Sequence, residues 1–129
     1  MRLARLLIVV LAAMLAAGCA RQPTRSVVVE TAAASELDGL SAAIGYYGGN
    51  IAKNADLKPK VPTLLHFGDQ DQSIPMSDVE IVKQKRSDCE IHVYHAGHGF
   101  SCDERGSYNE AAHKAAWERT LGWLTKYVG

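Results

Sequence analysis

The chain has 129 residues, which is enough for one small domain but not for two. Hydrophobic residues make up 47% of it and charged residues 22%, the proportions of an ordinary globular protein rather than of a disordered one. Its 14 basic and 14 acidic side chains balance, so neither a basic surface for nucleic acid nor an acidic solvating tail is indicated. We therefore expect no nucleic-acid partner.

The start of the chain has the features of an export signal. Arg2 and Arg5 are followed by residues 6–17, which are apolar throughout. That run suits a signal segment and is shorter than the roughly 20 apolar residues that span a bilayer. It ends in LAAGC at Cys19, which resembles a bacterial lipoprotein signal, although Ala16 stands where an aliphatic residue is expected. This predicts an exported, cell-envelope protein anchored in the membrane through a lipidated Cys19. A periplasmic protein with a plain signal peptide is the alternative.

Three apolar runs predict three strands. Residues 40–47 lead into two glycines and predict a buried strand that ends in a turn. Residues 61–67 and residues 90–95 predict the second and third strands. The polar stretch 50–60 between the first two is predicted to be a loop.

Two helices are predicted beside these strands. Ser77 and Glu80 have the spacing of a capping box, which predicts a short helix that ends near residue 86. Residues 108–128 carry apolar side chains at three- and four-residue steps and predict the clearest helix, with one face on the sheet. The side chains expected to pack inwards are Tyr108, Ala112, Ala115, Ala116, Trp117, Leu121, Trp123, Leu124 and Tyr127.

The order strand, strand, helix, strand, helix is typical of an α/β protein with a parallel sheet. Ligand sites in such sheets lie outside the carboxyl ends of the strands, where the polar loops 68–75 and 96–106 fall. The first loop reads GDQDQSIP and the second begins AGHGF. A carboxylate on one loop and a histidine on the next are the acid and base that an acyl-transfer site needs. The imidazole acts toward a nucleophile, and the carboxylate orients the imidazole.

Several segments in this order resemble the dienelactone hydrolase family, whose members have an α/β-hydrolase fold. They read AIGYYGG at 43–49, LLHFGDQD at 64–71, AGHGF at 96–100, RGSY at 105–108 and WERTL at 117–121. The resemblance runs from about Leu37 to the end of the chain. It implies ester or lactone hydrolysis through a nucleophile, a histidine and an aspartate, with Asp71 as the acid and His98 as the base.

The nucleophile that the resemblance implies is not found. It is typically a cysteine on a G-x-C-x-G or G-x-S-x-G turn, and no such turn occurs upstream of Asp71. Tyr47 lies between glycines spaced as in that turn, but a phenol with a pKa of about 10 is a poor nucleophile. One N–H donor of the oxyanion hole normally follows the nucleophile, so this donor is not identified either. Where the best-known members have an arginine for the substrate carboxylate, this chain has Cys102, with Arg105 nearby.

These departures predict a partial α/β-hydrolase fold of about three parallel strands with flanking helices, without the N-terminal half of the sheet. We divide the chain into a signal segment (1–19), a linker or remnant helix (20–36) and the hydrolase-like part (37–129). An open edge and one uncovered face are expected. The predicted function is that of a truncated hydrolase for small esters or lactones. The alternatives are an inactive, exported, lipid-anchored binding or structural module, and a signal segment joined artificially to a hydrolase tail.

The cysteines and histidines near the second loop leave further alternatives. Cys102 is a weaker candidate for the nucleophile, because a neighbouring His98 would lower the pKa of its thiol. In an oxidising compartment Cys89 and Cys102 could also pair. These three residues, with His92 and His95, are of types that bind zinc, but His92 and His95 lie three apart on a strand and point to opposite faces. We predict no metal and no cofactor.

Overall fold

The structure is a computed structural model that describes residues 34–35 and 38–129. Its one sheet has three strands in the order β1 (Ala43–Tyr46), β2 (Thr63–Gly68) and β3 (Glu90–Tyr94). Both neighbouring pairs of strands are parallel. The carboxyl ends of all three strands therefore lie at the same end of the sheet.

Two helices accompany the sheet. Helix α1 (Met76–Lys85) connects β2 to β3, and helix α2 (Glu110–Tyr127) follows β3. The predicted α/β class, the three parallel strands and the two flanking helices are confirmed. Among the described residues, neither helix is both long and apolar enough to cross a membrane.

The apolar side chains of the strands divide between two clusters, because successive residues of a strand point to opposite faces. Leu64 packs in one cluster with residues of α2 such as Trp123. Leu65 and Phe67 pack in the other with residues of α1 such as Val79. Every residue of β2 is buried, so the expectation of one uncovered face is wrong for the central strand. In the described residues, no residue of β3 is fully buried, and the outer edges of β1 and β3 have no further strand beside them.

The inward face of α2 differs from the one predicted. The residues buried there are Ala112, Ala116, Thr120 and Trp123. Trp117 and Leu121, which we expected in the core, are 38% and 46% exposed, and Tyr108 lies before the helix at 38%. The sequence pattern counted only apolar side chains, so it passed over Thr120, which continues the stripe four residues after Ala116 and three before Trp123. Asn109 caps the helix, since its side-chain oxygen accepts from the Ala112 N–H at 3.0 Å.

The predicted capping box of α1 is wrong. The helix begins at Met76, with Pro75 at the N-cap position and no side-chain cap. Ser77 is therefore already inside the first turn, where its hydroxyl cannot cap, and the Glu80 carboxylate bonds the Lys83 ammonium at 2.7 Å instead. Pro75 contributes its carbonyl oxygen, which accepts from the N–H groups of Asp78 at 2.9 Å and Val79 at 3.4 Å and so begins the helix.

Only a small part of the predicted N-terminal linker is described. Ala34 and Ser35 are helical, and Ala34 is buried. The carbonyl oxygen of Ala34 accepts from the Lys60 N–H at 2.8 Å, which ties this turn to the loop before β2. The predicted signal segment, with Cys19, and most of the predicted linker lie outside the described residues.

Candidate active site

The loops after β2 and β3 meet at Gly68. The Asp69 N–H donates to the carbonyl oxygen of Tyr94 at 2.9 Å, and the Gln70 N–H donates to that of Ala96 at 3.1 Å. A β-carbon at Gly68 would lie 2.1 Å from the Ala96 carbonyl oxygen, far inside contact distance. The two loops can therefore approach this closely only because residue 68 has no side chain.

Asp71 is held by its own loop. One carboxylate oxygen, Oδ1, accepts from the N–H groups of Ser73 at 2.7 Å and Ile74 at 2.9 Å. This is the local pattern by which aspartate side chains organise turns. The Asp71 side chain is only 1% exposed, and Ile74 anchors the loop in the cluster beside α1. The second carboxylate oxygen, Oδ2, is left for a partner from elsewhere in the fold.

That partner is His98. Its Nδ1 lies 2.8 Å from Asp71 Oδ2, and the His98 side chain is 33% exposed. The loop around it is fixed by Ser107, whose hydroxyl donates to the His98 carbonyl oxygen at 2.6 Å. Gly99 follows with a φ of 77°, which suits glycine, and Phe100 then enters the core completely. The structure thus brings together the two residues that the sequence singled out.

The pairing sets the role of each ring nitrogen. An ionised carboxylate only accepts hydrogen bonds, so Nδ1 of His98 carries the proton and donates it to Asp71. Nε2 of the neutral ring then has a lone pair, which is the arrangement of a general base. With Asp71 buried and His98 partly exposed, the ring can receive a proton from a group at the surface of the site.

Cys89 does not belong to this site. It directly precedes β3, so it lies at the amino end of that strand, opposite the carboxyl ends where Asp71 and His98 meet. It is a free cysteine, so it does not pair with Cys102. Burial raises the pKa of the Cys89 thiol to about 11, and Asp88 adds to this, so little of the reactive thiolate is present at neutral pH.

Among residues 34–35 and 38–129, no three histidine, cysteine or acidic side chains are grouped to hold a metal ion. His92 lies 2.8 Å from Glu90 through Nε2, and His95 lies 3.1 Å from Asp69 through Nδ1. The zinc ligand set considered from the sequence is therefore dispersed. Cys102 is disulfide-bonded, so it offers no free thiol and the prediction of Cys102 as a weaker nucleophile candidate is wrong. Its backbone N–H donates to the Gly99 carbonyl oxygen at 2.9 Å.

Comparison with known proteins agrees with this geometry. The family model described as the Dienelactone hydrolase family matches residues 27–128. The chain belongs to this family. The match begins ten residues before Leu37, where the resemblance was identified, and so includes much of the stretch interpreted as a linker.

The curated relatives are bacterial proteins. A Salmonella typhimurium protein named as a candidate carboxymethylenebutenolidase is 37% identical over 105 residues, covering 70% of this chain and 39% of the relative. An Escherichia coli protein with the same name is 36% identical over 105 residues, with the same coverage. The chain thus spans about two fifths of the length of the relatives it matches.

Solved structures show the same fold. A Klebsiella pneumoniae protein described as a candidate dienelactone hydrolase superposes with a TM-score of 0.65 at 32% identity, over 77% of this chain and 48% of that one. Esterase 2 of Thermogutta terrifontis superposes with a TM-score of 0.52 at 17% identity, over 68% of this chain and 40% of that one. The three-stranded sheet is therefore part of an α/β-hydrolase fold, and the family is one of hydrolases.

Proposed function

We propose that Asp71 and His98 are the acid and base of a site that hydrolyses a small ester or lactone. The observation that carries the proposal is the 2.8 Å contact between His98 Nδ1 and Asp71 Oδ2, made by a buried carboxylate and a partly exposed ring. The relatives' name, carboxymethylenebutenolidase, denotes action on a butenolide, which is a lactone. This supports a lactone or a related ester as the substrate class.

In the proposed reaction His98 moves one proton and Asp71 moves none. Nε2 of His98 accepts the proton of the attacking hydroxyl or thiol, and the Asp71 carboxylate stabilises the imidazolium that results. The backbone donors of Ser73 and Ile74 keep the carboxylate in place while the charge on the ring changes. The nucleophile bonds to the carbonyl carbon, and the bond to the leaving oxygen breaks as the imidazolium returns the proton to that oxygen. A water molecule that gives a proton to Nε2 then attacks the acyl group, and the returned proton releases the nucleophile and the carboxylic acid.

We further propose that the described residues contain no nucleophile for this pair. Tyr47 follows β1 and lies beside His98, but a phenol is a poor replacement for a thiol or an activated hydroxyl. Cys89 lies at the other end of the strands, and the sulfur of Cys102 is in a disulfide bond. The chain alone would then be a truncated member of the family, unable to complete the reaction. This agrees with its coverage of 39% of the Salmonella relative.

The test separates the acid–base role from the missing nucleophile. Purified protein is given an activated aryl ester, with and without a small thiol in solution as a replacement nucleophile. Without thiol we expect wild type and His98→Ala to be equally inactive. With thiol we expect wild type to be accelerated over both His98→Ala and Asp71→Asn, because Nε2 can deprotonate the thiol.

Two results would contradict these proposals separately. Thiol-free turnover that His98→Ala abolishes, with a burst of released alcohol that marks an acyl-enzyme, would show that a nucleophile is present after all. Equal thiol-dependent rates in wild type, His98→Ala and Asp71→Asn would show that the pair does not act as acid and base. His95→Ala is the matched control, since His95 also bonds a carboxylate but is 80% exposed.

The second candidate is an inactive binding or structural module in the cell envelope, favoured by the same lack of a nucleophile. It predicts retention of an ester or acyl ligand without turnover, and failure to bind any such ligand would count against it.

We propose anchoring through a lipidated Cys19 and an envelope location for either function. Mass spectrometry of protein expressed in a bacterial host, with Cys19→Ser as the control, checks the lipid directly.

A further inference from the structure

Tyr47 has an unusual backbone. Its φ is 38°, the one positive value outside glycine among the residues that the structure describes. Bulky L-residues avoid this region because the β-carbon crowds the following carbonyl group. The conformation is held in place by the Tyr47 N–H, which donates to the His66 carbonyl oxygen at 2.7 Å and extends the β1–β2 pairing by one residue.

The turn itself does not require a tyrosine. Gly48 and Gly49 follow directly, and a third glycine at position 47 would adopt the same φ without steric conflict. Backbone strain of this kind is retained where the side chain has a function, so the environment of the Tyr47 ring is informative.

The Tyr47 ring lies against the imidazole of His98. The two ring centroids are 5.2 Å apart with the planes inclined at 55°. The Tyr47 ring also meets Phe100 edge to face, at 5.4 Å and 77°. Phe100 is fully buried, so the tyrosine links a fixed point of the core to the histidine of the candidate site.

His98 needs such a contact. The hydrogen bond to Asp71 holds Nδ1 within a range of distances and angles, and a ring packed against the imidazole narrows the rotation that remains about the Cα–Cβ and Cβ–Cγ bonds. Gly97 and Gly99 flank the residue and offer no side chains for this purpose. A base must be held within a small range of angles to meet its nucleophile.

We propose that Tyr47 is a positioning residue, whose left-handed backbone directs its ring against the His98 imidazole and so orients Nε2. The inference rests on the proposed function for the use of His98 as a base. The contact itself can be tested without turnover. Failure of the hydrolysis assay therefore counts against the proposed function and leaves the positioning role to be decided by a separate measurement.

That measurement is the exchange of the His98 Nδ1 proton with water, followed by NMR on the purified protein. Tyr47→Phe keeps the ring and separates it from the hydroxyl, and its exchange should stay slower than that of a variant without the ring. Tyr47→Asn removes the ring but tolerates the positive φ, and it should accelerate exchange by about tenfold or more. Tyr94→Leu is the control for packing on Phe100, at 5.3 Å, and Tyr94→Phe is measured beside it because the Tyr94 hydroxyl also bonds His66 Nδ1 at 2.9 Å.

A purely structural role for Tyr47 predicts a different outcome. In that case Tyr47→Asn and Tyr94→Leu would lower the unfolding temperature and accelerate His98 exchange to the same extent. That result, or an unchanged exchange rate in Tyr47→Asn, overturns the proposal. If Tyr47→Asn does not fold, Tyr47→Leu keeps the apolar bulk without the aromatic face, and the proposal then requires faster exchange with the rest of the amide spectrum unchanged.

Discussion

His66 lies within β2 and His98 lies on the loop beyond β3, and their rings are bonded in opposite ways. His98 gives one ring nitrogen to a carboxylate and is 33% exposed. His66 is fully buried, with Nδ1 at 2.9 Å from the Tyr94 hydroxyl and Nε2 at 3.2 Å from the Thr120 hydroxyl. The Thr120 hydroxyl also bonds the Tyr46 hydroxyl at 2.7 Å, so the network joins all three strands to α2.

Their surroundings give the two rings different chemistry. Burial lowers the pKa of His66 to about 3, and the nearby positive charges of His92 and Arg119 act in the same direction. Burial also raises the pKa of the Tyr46 and Tyr94 phenols, so both keep their protons. A histidine that is neutral with both nitrogens occupied stabilises the fold but cannot serve as a base. Catalytic potential here depends on a free nitrogen and a charged partner, not on residue type.

The largest effect is expected at Gly68, where the loop that carries Asp71 approaches the loop that carries His98. Gly68→Ala places a β-carbon 2.1 Å from the carbonyl oxygen and 2.9 Å from the carbonyl carbon of Ala96, so backbone must move. We expect a loss of about 4 kcal/mol or more in the free energy of unfolding, measured by denaturant titration, and separation of the two loops. At Gly49 an added β-carbon meets nothing within 4 Å, so Gly49→Ala is the control. Equal effects of the two changes would refute the close approach.

Lowering the pH should destabilise the fold through the protonation of His66. The unfolded chain takes up a proton at this residue below about pH 6.5, whereas the folded protein resists until its pKa of about 3. The contribution of neutral His66 to the free energy of unfolding is therefore fully present above about pH 6.5. It is lost as the pH falls toward 3, by about 1.4 kcal/mol per pH unit. Denaturant titrations across this range measure the slope. His66→Gln removes the titration, and an equally steep slope in that variant would contradict the assignment.

A smaller effect is expected from removing one hydroxyl of the network. Thr120→Val keeps the volume but leaves His66 Nε2 and the Tyr46 hydroxyl without their partner in a buried site. We expect a loss of about 1–3 kcal/mol in the free energy of unfolding. The matched control is Thr125→Val, because the exposed Thr125 hydroxyl bonds only the Leu121 carbonyl oxygen, at 2.9 Å. If the two valine variants were equally stable, the network would contribute nothing.

The smallest effect should come from the third histidine at this end of the sheet. His95 lies 3.1 Å from Asp69, but its side chain is 80% exposed, so water screens the pair. His95→Ala should change the free energy of unfolding by less than about 0.5 kcal/mol and leave any thiol-dependent rate unaltered. A larger loss in either measurement would show that a carboxylate partner matters even without burial.

The candidate site was predictable because strand-end loops obey a simple rule. Parallel strands bring their carboxyl ends together, so the loop after β2 and the loop with His98 after β3 were expected to meet. The first loop carries both Asp69 and Asp71, and the resemblance to the dienelactone hydrolase family selected Asp71, which the structure places 2.8 Å from His98. The buried hydrogen bonds of Thr120 and His66 were not predicted. Periodicity alone treated Thr120 as a polar gap in a helix and His66 as part of an apolar strand. The strain at Tyr47 likewise has no local signal, because the glycines that follow would suffice for the turn.

The sequence by itself determined the α/β class, the parallel strands and the meeting of a carboxylate loop with a histidine loop. These follow from hydrophobic runs and from the positions of loops, which are local along the chain, whereas the choice of Asp71 and His98 as acid and base followed from the resemblance to dienelactone hydrolases. Only the tertiary structure decided which face of α2 is buried and which histidine is closed off from water. The contacts responsible join residues far apart in sequence, such as Tyr46 and Thr120, 74 residues apart. A hydrogen bond of that kind depends on how helix and sheet pack together, which no short pattern of residues encodes.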